Sequence, residues 1–309
     1  MSKTKFRNNK FKMNKTKKFK KMNCNPTVEG KTVLDDSCYT YDTLTKIKNS
    51  YNSYHMENKI VETEPKQLWN TLKTRLNSCD KEDCWLKEIK DEKLRKDIDE
   101  FSFAPDHPPE WNNNPDEWLS NYDILDVLKQ YEKKHKNFKF IGPTPIDFDT
   151  RIPTDSKCVW EELCRFSSDD MLKKGKTKIG IVFNLDKHDE SGSHWVSMFI
   201  DFDNAFLFYF DSAGDKIPDE VFSLTKRVVK QGKMLKKPIY FKLHQNHPFI
   251  HQKGNTECGM YSLFFIITML TKKFGNHTFS NSKKVIQFFK SKVIPDEYVF
   301  KHRKIYFNS

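Results

Sequence analysis

A chain of 309 residues with 54 Lys and Arg against 42 Asp and Glu, net charge +12 and 37% apolar residues, has room for one catalytic domain of about 200 residues plus an N-terminal extension. Its longest apolar stretch, residues 263–270, falls far short of the roughly 20 residues of a membrane span, and its N-terminus has no apolar signal core, so a soluble protein is expected. The seven Cys are accordingly read as free thiols in a reducing compartment.

Residues 1–22 hold ten Lys or Arg and no acid, which leaves the rest of the chain near +2. Lys, Asn and Thr with isolated Phe6, Phe11 and Phe19 describe a basic disordered tail, suited to nucleic acid, an acidic partner or a localisation receptor. A solubilising tail with no dedicated partner is the alternative. Residues 23–110 read as a helical arm, with apolar residues at helical spacing over Tyr41 to Tyr54, Pro65 to Leu76 and Glu82 to Phe101. It is expected to regulate the enzyme or dock substrate. Pro108-Pro109 and Asn112-Asn113-Asn114 mark a linker over 105–115, and residues 111–309 form the expected catalytic domain.

Within that domain Trp118 to Ile124 opens a helix. Lys178 to Leu185, Trp195 to Phe202 and Ala205 to Phe210 are short runs rich in Ile, Val and Phe, which read as buried strands. If Asp203-Asn204 forms a two-residue turn, Phe202 pairs with Ala205 and the ladder sets His194 opposite Ala213. Asp211 is then a diagonal neighbour of His194 on the same face. A base and its orienting acid would thus stand together at one end of a hairpin. A helix follows, with Pro218 near its start, Asp219 and Glu220 in its first turn and Gly232 at its end; Ile239 to Leu243 supplies another strand.

Cys258 lies between a polar loop and the apolar run from Tyr261 to Leu270, at the first turn of a buried helix. Unpaired N–H groups and the positive end of the helix dipole favour a thiolate there. Asn255 or Thr256 is expected to cap this helix, and Gly259 to leave room for a substrate chain beside the sulfur. Six residues upstream, Gln252 is placed to aim its amide at an oxyanion, with the Cys258 N–H as second donor.

His194-Trp195, Phe210-Asp211-Ser212, Gln252 and Glu257-Cys258-Gly259-Met260-Tyr261, in that order, resemble the SUMO-protease and adenovirus-proteinase clan of cysteine peptidases. Within it they are most similar to the virion-maturation proteases of large DNA viruses, the poxvirus, African swine fever virus and mimivirus groups. The resemblance covers residues 115–307; Glu257 departs from the Asp that precedes the Cys in cellular SUMO proteases. It implies an α+β, papain-like fold of rearranged chain order, with a central mixed sheet flanked by helices. It also implies that Trp118 borders the substrate groove and that Trp195 presses on the chain before the scissile bond, leaving space mainly for Gly. The substrate class it implies is viral structural polyprotein cut at Gly-Gly-Xaa, in the virion and the infected-cell cytoplasm.

His188, His244, His247 and His251 compete with His194 as base, but the sequence places no acid so well for them. A metal site at His244, His247 and His251 is disfavoured by Pro248 and by the missing HExxH pattern, and Cys79, Cys84, Cys158 and Cys164 lack zinc spacing. No metal or cofactor is expected, and the partner is a protein substrate. The alternatives in function are a SUMO or ubiquitin-like isopeptidase acting on host conjugates and a non-catalytic nucleic-acid-binding virion protein.

Overall fold

In the computed structural model of this chain, the residues described are 19–152 and 157–309, so the expectations for residues 1–18 lie outside them. The chain divides into two compact units, the smaller built on residues 31–99 and the larger on residues 23–30 and 100–309.

The smaller unit contains α1 (Tyr41–Tyr54), α2 (Pro65–Arg75) and most of α3 (Glu92–Ser102). Thr40 caps α1 by accepting from the Thr43 N–H, and the Glu64 carboxylate accepts from Lys66 and Gln67 behind a Pro at the first position of α2. The single helix expected over Glu82 to Phe101 is broken instead, with a 3₁₀ segment at Asp83–Glu88 before α3. The physical reason is burial. Cys84, Trp85 and Leu86 are all buried in succession, which no one-sided helix allows, and the buried Glu82 carboxylate is held by Ser37, the Cys38 N–H and the Trp69 indole at 2.6–2.8 Å. A second correction concerns the thiols: Cys79 is disulfide-bonded to Cys84 and Cys158 to Cys164, with Cα atoms 6.0 and 6.3 Å apart, and Cys258 is a free thiol. The members of the two pairs are five and six positions apart in the chain.

The larger unit is organised by a five-stranded sheet, β1 (Phe138–Pro145), β2 (Lys178–Asn184), β3 (Trp195–Asp201), β4 (Phe206–Phe210) and β5 (Lys242–Gln245), in that spatial order. The outer pairs are parallel and the inner ones antiparallel. Every residue of β3 and β4 is buried, so both faces are covered. On one face α8 (Cys258–Thr271) and α9 (Ser282–Ser291) pack against Phe199, Phe208 and Phe210, with Phe210 stacked on Phe265 at 4.7 Å; α4 (Asn121–Lys134) joins them. On the other, α7 (Asp219–Met234) sets Val221, Leu224 and Val228 against Val196, Met198, Leu207 and Tyr209. Short helices α5 (Glu161–Cys164) and α6 (Ser168–Lys173) flank that layer, and α10 (Asp296–Lys301) and α11 (Arg303–Tyr306) close the chain. This is the α+β sandwich of a mixed sheet between helical layers. The C-terminus is stapled into it: the Asn308 amide donates to the carbonyls of Asn23 and Ala104, and its N–H to that of Pro105. Among the described residues no helix is long and apolar enough to cross a membrane.

The hairpin turn is wider than expected, with Asp201 opposite Phe206 and four residues, 202–205, between them. Ala205 takes a φ of 53° and the Asp201 carboxylate accepts from the Asn204 N–H. Widening by one residue on each side conserves the register, so the ladder still runs toward His194 opposite Ala213. Gly232 does not end its helix. It lies in the last turn of α7, where a Cβ would stand 2.6 Å from the Phe241 ring and 2.8 Å from the Ile239 carbonyl. Ile239 is therefore spent on α7, its N–H bonded to the Gly232 carbonyl, and the strand begins at Lys242.

Candidate active site

Three segment ends converge at one end of the sheet's central strands. His194 precedes β3, Asp211 follows β4, and Cys258 is the first residue of α8. Beyond the last ladder pair, Ser197 with Phe210, the two strand ends continue far enough for His194 Nε2 to meet Asp211 Oδ1 at 2.7 Å. The same oxygen accepts from the Ala213 N–H at 2.8 Å. Asp211 is fully buried, and Asn246 grips its backbone from both sides: its Oδ1 accepts from the Asp211 N–H at 2.9 Å and its Nδ2 donates to the Asp211 carbonyl at 2.6 Å. With Nε2 engaged, Nδ1 is the nitrogen left for Cys258, whose thiol joins Asp211 in favouring the charged ring. Burial disfavours the charged ring. The hydrogen bonds and charges of Asp211 and Cys258 outweigh it, so the His194 pKa is pushed up to about 10.

The helix start differs from expectation. Neither Asn255 nor Thr256 caps it; Glu257 is the residue before the first turn and makes no side-chain cap bond. Its carboxylate is taken by Arg303 instead, at 2.7 Å to Nη2 and 3.2 Å to Nε, while Arg303 Nη1 donates to the carbonyls of Pro115 and Glu117 at 2.8 and 2.9 Å. Without a side-chain cap, the positive end of α8 faces the sulfur. Both members of this pair are about 95% buried, so Arg303→Met is expected to leave Glu257 uncompensated and to lower unfolding stability by about 3–5 kcal/mol. Urea titration measures this, and a loss under about 1 kcal/mol would mean that the packing of Arg303 on Trp111 carries the site without the charge.

Gln252 is oriented by its neighbours. The Ser212 hydroxyl bonds its Oε1 at 2.7 Å, its Nε2 donates to the Gly254 carbonyl at 2.9 Å, and the Ser212 carbonyl accepts from the N–H groups of His251 and Gln252. The amide nitrogen has two hydrogens, so one remains for a further acceptor. Gly259 does not open space for a substrate chain. A Cβ there would stand 3.1 Å from Leu119 Cβ and 3.2 Å from Trp195 Cδ1, so Leu119 and Trp195 already fill that room. Trp195 is fixed by its indole N–H on the Leu119 carbonyl at 3.0 Å. Trp118 and Trp195 line a groove of about 790 Å³, with Trp160, Pro143 and the loop from Lys187 to Gly192 on its other sides.

The rival histidines are accounted for. His188 does have an acid, contrary to expectation: its Nδ1 lies 2.7 Å from Asp147 Oδ2. The free thiol acts on His194 and not on His188, however, and His188 stands exposed on the groove rim. His247 is held by the Gly214 carbonyl and His251 by that of Phe289, while burial with Lys290 and Lys242 nearby lowers His244 to about 4. Among the described residues one cluster has metal-ligating donors, Cys79, Asp83 and Cys84 in the smaller unit, and its two sulfurs are bonded to each other. Ser212, part of the quoted Phe210-Asp211-Ser212 motif, supports Gln252, whereas Asn246, Asp296 and Arg303 support the site without any sequence signal beyond their residue type.

The model of the Ulp1 protease family, C-terminal catalytic domain, matches residues 169–302. A putative thiol protease of Acanthamoeba polyphaga mimivirus is 29% identical over 272 residues, 80% of this chain and 85% of that one. A SUMO-1 cysteine protease of African swine fever virus is 30% identical over 156 residues, 48% of this chain and 56% of its own length. The crystal structure of an African swine fever virus protease aligns with a TM-score of 0.61 at 25% identity, over 92% of this chain and 95% of that one.

Proposed function

We infer that this chain, a cysteine peptidase of the SUMO-protease and adenovirus-proteinase clan, is an endopeptidase that cuts viral structural polyproteins after small residues during virion maturation. The observation that carries the chemistry is a free, buried thiol at the start of α8 that favours the charged form of a histidine whose far nitrogen is held by a buried carboxylate. His194 keeps a proton and Cys258 supplies the thiolate. The sulfur attacks the scissile carbonyl carbon, the new S–C bond forms, and the carbonyl π electrons move onto oxygen. Gln252 Nε2 and the Cys258 N–H stabilise that oxyanion. The oxyanion collapses, the C–N bond breaks, and His194 passes its proton to the departing amine. Water then attacks the thioester, returns a proton to His194 and releases the acid with the thiolate restored.

The preference for small residues is supported by the two tryptophans on the groove and by the space around Gly259, already occupied by Leu119 and Trp195. The virion role is supported by relatives from two large DNA viruses. Residues 1–22 would add a salt-sensitive contact with nucleic acid or an acidic partner. A second reading, removal of a ubiquitin-like modifier from host conjugates, is favoured by the matched family and by a relative described as a SUMO-1 protease. A fluorogenic Gly-Gly peptide run beside SUMO and ubiquitin conjugates separates them. Turnover of the peptide with intact conjugates is the expected result. Preferential cleavage of a conjugate would establish the isopeptidase, and no turnover of any would remove both.

A further inference from the structure

Gln252 begins a loop, residues 252–257, that carries no regular structure to hold its amide in place. What holds it comes from the far end of the chain. The Asp296 carboxylate, at the first position of α10, accepts from the Lys253 N–H at 3.0 Å and the Gly254 N–H at 2.8 Å. The Gly254 peptide therefore sits between two charged or polar groups. Its N–H points to Asp296, and its carbonyl accepts from Gln252 Nε2 at 2.9 Å. Asp296 is itself anchored to the catalytic helix, since the Tyr261 hydroxyl lies 2.8 Å from its Oδ1 and 2.7 Å from the Ile294 carbonyl. Tyr261 is one turn beyond Cys258 on α8. One carboxylate thus ties the loop that bears the oxyanion donor to the helix that bears the nucleophile.

We propose that Asp296 is a positioning residue, which fixes the amide of Gln252 against the oxyanion through the backbone of Lys253 and Gly254. The proposal rests on the reading of Gln252 given above. An amide hydrogen serves an oxyanion only when it is already aimed, because reorientation at the moment of reaction cancels the gain. Gly254 supplies the reference point for that aim, and Asp296 fixes Gly254. Charge-assisted bonds to two successive N–H groups make this anchor stronger than a neutral acceptor would.

The test uses the full chain with Asp296→Asn, and three readouts. Turnover of the Gly-Gly peptide gives kcat and KM. A peptide aldehyde, which Cys258 converts to a tetrahedral adduct bearing an oxygen where the oxyanion forms, gives affinity for that geometry. Iodoacetamide alkylation reports the thiolate and needs no oxyanion hole. The expected result is a fall in kcat of about tenfold to a hundredfold at unchanged KM, with a matching loss of aldehyde affinity and an unchanged alkylation rate. In a Gln252→Ala background, Asp296→Asn should then cost little more. A parallel fall in alkylation, a change confined to KM, or the full loss repeated without Gln252 overturns the proposal. If Gln252→Ala alone leaves kcat unchanged, the reading of Gln252 itself fails, which is a separate result. Asp296→Glu keeps the charge and moves the acceptor by one methylene, so it serves if Asp296→Asn does not fold; it is expected to show the same pattern to a smaller degree.

Discussion

Cys258→Ala is expected to abolish peptide turnover, a loss of about six orders of magnitude in kcat, while the far-UV dichroism of the folded chain is unchanged. The size follows from what is removed. No other described cysteine is a free thiol, and the groove, the oxyanion donors and His194 have nothing to do without an attacking sulfur. The fold should survive because the substitution deletes one atom at the end of a helix whose core contacts come from Met260, Tyr261, Leu263, Phe264 and Phe265. A second consequence distinguishes lost chemistry from a damaged site. The bond and charge of Cys258 help to raise the His194 pKa to about 10, so the histidine of Cys258→Ala should titrate lower, as histidine NMR would record. Retained cleavage would end the assignment of Cys258. Lost cleavage with an unmoved titration would show that the thiol and the ring are not in contact.

The legible and illegible parts of this site differ in kind. Short apolar runs with β-branched and aromatic residues announced β2, β3 and β4, and the hairpin register followed even though its turn is wider than two residues, because one residue added to the turn on each side leaves every later pair unchanged. His194, Asp211 and Cys258 could be named since each is tied to a strand end or a helix start, and Gln252 only by its spacing from Cys258. β1 was invisible for the opposite reason. Gly142-Pro143 and Pro145 look like loop punctuation, but the strand is on the sheet edge and its pairing shifts between Ile141 and Thr144, where missing N–H donors cost nothing. The supports of the loop were also hidden. Asp296 and Arg303 lie 42 and 46 positions from their partners Gly254 and Glu257, so no local pattern connects them and only the folded chain brings them together. The disulfide pairs were missed because composition spoke for a reducing compartment, and composition says nothing of which sulfurs a turn brings together.

The pH dependence of the enzyme should report the acid that orients the base. His194 has its pKa raised from 6.5 to about 10, so the folded chain holds this proton more tightly than the unfolded chain does. The stabilisation is therefore fully present below pH 6.5 and is lost as pH rises toward about 10, and the protonated ring needed by the leaving amine persists across neutral pH. The alkaline limb of the kcat/KM profile is expected near pH 10 in the parent enzyme. Asp211→Asn removes the buried charge 2.7 Å from Nε2 and should move that limb to lower pH, with kcat falling by about 10²–10⁴-fold and a residual rate remaining, since an amide oxygen can still accept from the ring. His194→Ala has no such remainder and should approach the loss at Cys258. An alkaline limb that stays in place in Asp211→Asn would mean that some other group sets it, and equal tolerance of both substitutions would take the His194 and Asp211 pair out of the mechanism.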